Sequence, residues 1–311
     1  MGTKNSKFLT IKGETTYPEF QTFVDARNRP AIFLLMPEDE LLWSHALAIR
    51  SVLQDKTFDE LDLVIHSSGG YSDVAYQIIQ TLRLHAKKLN ACVPIWAKSA
   101  ATLLCIGADT IVLDELAQLG PLDPQIYIGE GNLMSALNAF KNLEELTTFS
   151  KKTLHEVAIM LANETELPVN DCIKYAINFV EVVSGPLFAK LDLNKLGEYS
   201  RALSVSKEYG KRLLNRSHGW TSDRSEEVIS RLVYGYPSHS YVINYQELIE
   251  LGFQAELFSK AERSAVEGLF QYCLTGEDIE IGDQTTIKLV EPSVSPDLQT
   301  PSAEISTTQI A

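Results

Sequence analysis

Apolar and polar positions alternate between two periods along the first third of the chain. In PAIFLLMPED (residues 30–39) Ile32, Phe33, Leu34 and Leu35 form an unbroken apolar run of strand length. The next segment, ELLWSHALAIRSVL, places Leu42, Ala46, Ile49 and Leu53 at helical spacing. LDLVIHS then reads as a second strand, SSGGYSD as a glycine turn, and VAYQIIQTLRLHAKK as an amphipathic helix with Ala75, Ile78, Ile79, Leu82 and Ala86 inward. ACVPIWA, SAATLLCIGA and DTIVLD continue as strand, short apolar helix and strand. Strand and helix in strict alternation predict an α/β fold on a parallel sheet.

From about residue 132 the pattern turns helical. Leu133, Leu137, Phe140 and Leu143 make one stripe, and Leu154, Val157, Ala158 and Leu161 another. SHSYVINYQELIELGFQAEL predicts a short strand, a helix and a further strand. The Thr-, Ser- and Pro-rich stretch from Asp283 predicts a disordered tail. The expected division is an N-terminal segment over 1–29, one domain over 30–282 with a helical insert at about 132–233, and a tail over 283–311.

Composition narrows the classes. The 311 residues carry a formal net charge of −14 without a basic stripe, which argues against nucleic acid as a partner. Cys92, Cys105, Cys172 and Cys273 lack metal-ligand spacing, fitting a reducing compartment and no metal. The N-terminus lacks the apolar core of a signal peptide, and no apolar run approaches a membrane span. The expectation is a cytoplasmic protein that needs no cofactor.

Two turns carry the candidate chemistry. Gly69 and Gly70 follow a strand and precede a helix, without the spacing of a phosphate-binding loop. Their amides would suit an oxyanion hole; an ordinary strand–helix turn is the plainer alternative. Ser99 occupies the same place one strand later, as a helix cap or as a nucleophile. Sites in wound parallel sheets gather at the carboxyl ends of the strands, which would bring the two turns together.

Strand–HSSGG–helix–strand–KSAATLLCIGADTIVLDELAQLGPLDPQI resembles the Clp/crotonase superfamily, and within it the serine dehydrogenase proteinase family of Clp-class serine proteases. SHSYVINYQELIELGF is similar to that family's closing strand and helix, and YSRALSVSKEYGKRLL to its long helical insert. The resemblance covers roughly residues 30–256. It implies a Clp/crotonase-like parallel sheet of repeated β-β-α and β-α units, with Ser99 as nucleophile and Gly69 and Ala100 as oxyanion amides. It also implies peptide or protein substrates and a homo-oligomer.

The base is the open element. LGPLDPQI lacks the histidine that a Clp-subunit triad would place there, so the chain resembles the lysine-using branch related to signal-peptide peptidases. Among Lys141, Lys151 and Lys152, Lys151 shares a face with Leu154, Ala158 and Leu161 and is the expected base, forming a Ser–Lys dyad. His239 is the rival. Asp114 and Asp123 read as loop or capping acids, His66 as a core or cleft residue, and Lys98 as pointing away from Ser99. A crotonase-type acyl-CoA hydratase and a catalytically inactive interaction protein are the competing functions.

Overall fold

The computed structural model describes residues 17–37, 40–129, 132–274 and 286–293. The strands β1 (Ala31–Met36), β2 (Phe58–Ser67) and β3 (Ala86–Val93) form the parallel centre of one sheet. Two further parallel strands, β5 (Thr110–Leu113) and β9 (Ala255–Leu257), extend it beyond β3. The short strands β4 (Trp96–Ala97) and β6 (Gln118–Leu119) leave this path, β4 pairing with β2 at Ser67 and with β6, so that the sheet curls over its carboxyl end. Helices α2 (Trp43–Leu53), α3 (Ser72–His85) and α4 (Ala100–Ile106) make the crossovers. The expected α/β architecture is therefore present.

Side chains alternate across β1 as strand geometry requires. Ile32, Leu34 and Met36 face a large core shared with α2, α3 and α4. Phe33 and Leu35 face a smaller one. That second face is closed by helix α1 (Pro18–Arg27), whose Phe20 stacks on Phe33 with ring centroids 4.1 Å apart. Each such buried phenylalanine contributes about 1.5–3 kcal/mol. Helix α10 (Lys260–Glu267) packs beside α1. Helix α1 falls in the N-terminal segment over 1–29, where no element is expected because Phe20, Phe23 and Val24 are few apolar positions among polar neighbours.

Three elements differ from the sequence reading. Helix α3 stops at His85, and Ala86 already belongs to β3, where it pairs with Phe58. The strand expected around Tyr241–Ile243 is reduced to a bridge between Ile243 and Leu119. Within the expected disordered tail, β10 (Thr286–Val290) pairs antiparallel with β1. The open edge of β1 and the apolar Ile287, Leu289 and Val290 account for that pairing. Apart from residues 286–293, that tail lies outside the described residues.

A hairpin of β7 (Gln125–Gly129) and β8 (Asn132–Ser135) leads into the helical region. The long helices α5 (Ala136–Glu164), α6 (Val169–Phe188) and α7 (Leu193–His218) follow, then α8 (Ser222–Tyr234) and α9 (Tyr245–Glu250). Helix α7 lies over α3 and α4: Tyr209 stacks on Tyr76 at 4.5 Å, and the Ser206 and Ser72 hydroxyls are 3.2 Å apart. Helix α6 packs mainly on α5 and leaves Val169, Phe179 and Val182 exposed. Among the described residues no single helix is long and apolar enough to cross a membrane.

Candidate active site

The pairing of Ser67 with Ala97 sets the two candidate turns side by side, tied by a Lys98 N–H donating to the Ser67 carbonyl at 3.0 Å. Gly69 has φ +114°, and a Cβ there would stand 2.8 Å from the Ser99 Cβ and 2.9 Å from the Lys98 carbonyl oxygen. Glycine is required on both counts, by the dihedral and by the close approach. Gly70, at φ +144°, lies so near Leu41 that a Cβ would come within 2.3 Å of the Leu41 nitrogen.

Ser99 itself has φ +50° and ψ −123°, outside the regions an L-residue prefers, and its side chain makes no cap bond to α4. A serine that strains the backbone without capping the helix is not serving as a cap. The sharp strand-to-helix turn is the geometry that lifts a nucleophile clear of its sheet. Thr102 pins the turn, its hydroxyl 2.9 Å from the Ala97 carbonyl and 2.8 Å from that of Gly120. The Ala100 amide opens α4 and has no intrahelical acceptor. The Gly69 amide donates to the Ser67 hydroxyl at 3.1 Å.

A cleft of about 470 Å³ opens beside Ser99, its lining including Gly69, Gly70, His239, Lys195, Glu198 and Tyr199. His239 reaches it because the Leu119–Ile243 bridge, with hydrogen bonds of 2.8 and 3.1 Å, draws its loop against β6. Its Nδ1 lies 3.0 Å from Oδ1 of Asp123, whose carboxylate is buried. The other oxygen, Oδ2, accepts a hydrogen bond from the Ser135 hydroxyl. Since an ionised carboxylate only accepts, Asp123 assigns the proton to Nδ1 and leaves Nε2 as a lone-pair nitrogen.

The lysines stand elsewhere. Lys151 is exposed in the middle of α5 and does not line the cleft. Lys152, also exposed, faces Glu156 at 3.8 Å. Lys141 donates to the Tyr236 carbonyl at 2.8 Å, which ties α5 to the segment preceding His239. Lys98 turns from Ser99 toward Gln118, its ammonium 2.6 Å from Oε1, and partial burial lowers its pKa to about 8. His66 is a core residue against Trp96, ring centroids 4.3 Å apart, and burial lowers its pKa to about 4. Asp123 is the residue that sequence reasoning passed over. It reads in the sequence as a loop or capping acid, and its partner lies 116 positions away. Among the described residues no cluster of His, Cys, Asp and Glu is arranged to hold a metal.

A strained serine at a strand-to-helix turn, glycine amides beside it and a carboxylate-bound histidine in the same cleft are the kinds of groups that hydrolases with a serine nucleophile use. The sequence places the chain more narrowly: residues 40–207 match the model of the ClpP-like SDH-type serine proteinases, and the chain belongs to that family. Two uncharacterized proteins of Methanocaldococcus jannaschii are similar to it. One is 28% identical over 209 residues, covering 67% of this chain and 57% of the relative. The other is 26% identical over 194 residues, covering 62% and 51%. The chain thus spans little more than half the length of these curated relatives. Among solved structures, a mutant of the 1510-N membrane-bound stomatin-specific protease aligns over 76% of this chain and 83% of its own, at 11% identity and TM-score 0.43. ClpP1 of Listeria monocytogenes aligns over 78% and 96%, at 9% identity and TM-score 0.37.

Proposed function

We propose that the protein is a serine peptidase in which Ser99, His239 and Asp123 act as a triad. The observation that carries this reading is the His239 ring, which lines the cleft with Ser99 while its Nδ1 is held 3.0 Å from Asp123. Ser99 Oγ attacks a peptide carbonyl, and His239 Nε2 accepts its proton. Asp123 stabilises the imidazolium that forms, and the buried carboxylate needs no proton of its own. The Ala100 amide and one or both glycine amides receive the developing oxyanion, the Gly69 N–H exchanging the Ser67 hydroxyl for it. His239 then protonates the leaving amine, and water attacks the Ser99 ester by the same route in reverse. Ala100 and Ala101 leave room for the acyl group.

His239 replaces Lys151 as the proposed base because a general base must reach the proton it removes. Lys151 lies on an exposed stretch of α5 and does not line the cleft. Peptide and protein substrates, and association of several copies, stay part of this proposal. The exposed apolar side chains of α6 favour association.

The test is hydrolysis of an unfolded protein and of fluorogenic peptides by the wild type and three variants. Ser99→Ala and His239→Ala are expected to lose roughly 10³-fold or more in kcat, and Lys151→Ala to match the wild type. Retained activity in Ser99→Ala overturns the reading. Activity that survives His239→Ala but not Lys151→Ala transfers the base to the lysine.

A further inference from the structure

A second cavity, of about 680 Å³, opens at the opposite end of the sheet, where α3 hands over to β3. Phe58 and Ala86, the first residues of β2 and β3, line it. The ten residues of β2 put roughly 30 Å between it and Ser67, at the end that carries the Ser99 cleft. Its lining reverses the charge of the chain. Arg83, Lys87 and Arg216 stand there with one acid, Asp59, in a protein whose acids outnumber its bases by 41 to 27. The Arg83 side chain is only 9% exposed. Its terminal nitrogens donate to Asp109 at 2.6 Å and to the Gly107 carbonyl at 2.8 Å, but its Nε is buried without a partner among the described residues. An orphaned buried donor of this kind marks a group that the protein does not itself supply. Lys87 meets Asp59 at 2.7 Å in a pair that is almost wholly solvent-exposed, so it exchanges partners at little cost. Arg216 places one terminal nitrogen on Gln80.

We propose that this cavity binds a phosphate group, free or as the monoester of a small molecule. The inference goes beyond the peptidase reading and needs neither Ser99 nor His239. A phosphate carries a charge of about −1.5 to −2 near neutral pH, which the excess of cations in the lining offsets. A single carboxylate would leave part of that excess unbalanced. Guanidinium groups take phosphate oxygens two at a time, and Arg83 and Arg216 bring theirs from different helices, α3 and α7. A phosphate held between them ties the two helices together. The cavity's volume lies within the range of about 300–1,000 Å³ usual for small-ligand sites. Half-buried Phe58 and exposed Leu84 offer apolar surface to the remainder of an ester. A nucleic acid would require a basic track beyond the cavity, against the net charge of −14.

Isothermal titration calorimetry in phosphate-free buffer, with inorganic phosphate and with AMP as the probes, tests the proposal. One site per chain is expected for at least one probe. Lys87→Gln and Arg216→Gln are each expected to weaken it at least roughly 10-fold, as the loss of a charge-assisted hydrogen bond does. Both residues are exposed, so the variants are expected to melt with the wild type in the absence of ligand. Arg83→Lys keeps the charge but not the fork, and is expected to weaken binding as well. Tighter binding of AMP than of phosphate assigns an ester as the ligand, and equal binding assigns free phosphate. No binding of either probe, or binding of unchanged strength in both Lys87→Gln and Arg216→Gln, overturns the proposal and leaves the peptidase reading untouched.

Discussion

A methyl group added to Gly69 would stand 2.8 Å from the Ser99 Cβ, whereas one added to Gly197 on α7 meets nothing nearer than Arg201 at 3.7 Å. The turns that carry the candidate nucleophile are held from several directions, by β-pairing, by Thr102 and by Leu41. The N-terminal turns of α7, which line the cleft through Lys195, Glu198 and Tyr199, are more open, while α6, away from the cleft, keeps exposed apolar side chains. Strained dihedrals persist only where the surroundings over-determine them. On the proposed reading, chemistry that tolerates little displacement would sit on the sheet edge, where the backbone is most constrained.

The same substitution should act in opposite directions on the two regions. Gly69→Ala introduces a clash against Ser99 and the Lys98 carbonyl at a positive φ, costing on the order of 1–3 kcal/mol in stability. Displacing Ser99 by a fraction of an ångström should lower kcat roughly 10²-fold or more, read by peptide hydrolysis beside a thermal melt.

Asp123→Asn tests whether the buried carboxylate acts through His239. Because the Ser135 hydroxyl donates to one side-chain oxygen, an asparagine would turn its NH₂ toward Nδ1. The ring would then carry its proton on Nε2 and lose its basic nitrogen. A loss of roughly 10²–10⁴ in kcat with little change in melting temperature is expected. An equal loss of stability and activity would reduce Asp123 to a structural acid.

His66, one strand turn behind Gly69, makes the rigid region sensitive to acid. Its folded pKa of about 4 lies below the ordinary value of 6.5, so between these pH values the unfolded chain binds more protons. Stability is therefore lost as pH falls through that window, by up to about 3 kcal/mol. His66→Phe keeps an aromatic ring against Trp96 and should flatten the pH dependence of urea unfolding. An unchanged profile would assign the acid sensitivity to other groups.

On the roof, Gly197→Ala removes a flexible residue from an open helical position. It should raise stability by about 0.5–1 kcal/mol while leaving Ser99 reactivity unchanged. A coupled change in reactivity would mean that α7 and the sheet edge do not act as separate regions.

What the sequence disclosed follows the same division. The Gly69 and Ser99 turns were legible because each sits at the end of an apolar strand, and strand ends in a parallel sheet converge. The pairing of Asp123 with His239 was not, because it depends on the single Leu119–Ile243 bridge rather than on any local pattern. Lys151 drew notice through the apolar stripe on α5, but that stripe packs on α6 and α7 and leaves the lysine in solvent. The edge strand β10 was hidden in a polar stretch, where three apolar residues suffice once β1 offers unpaired backbone groups.

The central claim is that His239, held by Asp123, activates Ser99. Intact-protein and peptide mass spectrometry after reaction with a fluorophosphonate measures this without knowledge of the substrate. A single adduct on Ser99, formed in the wild type and in Lys151→Ala at equal rates and slowed at least roughly 10²-fold in His239→Ala, is the predicted result. Modification of Ser99 at an undiminished rate in His239→Ala, or of a different residue in the wild type, would contradict it.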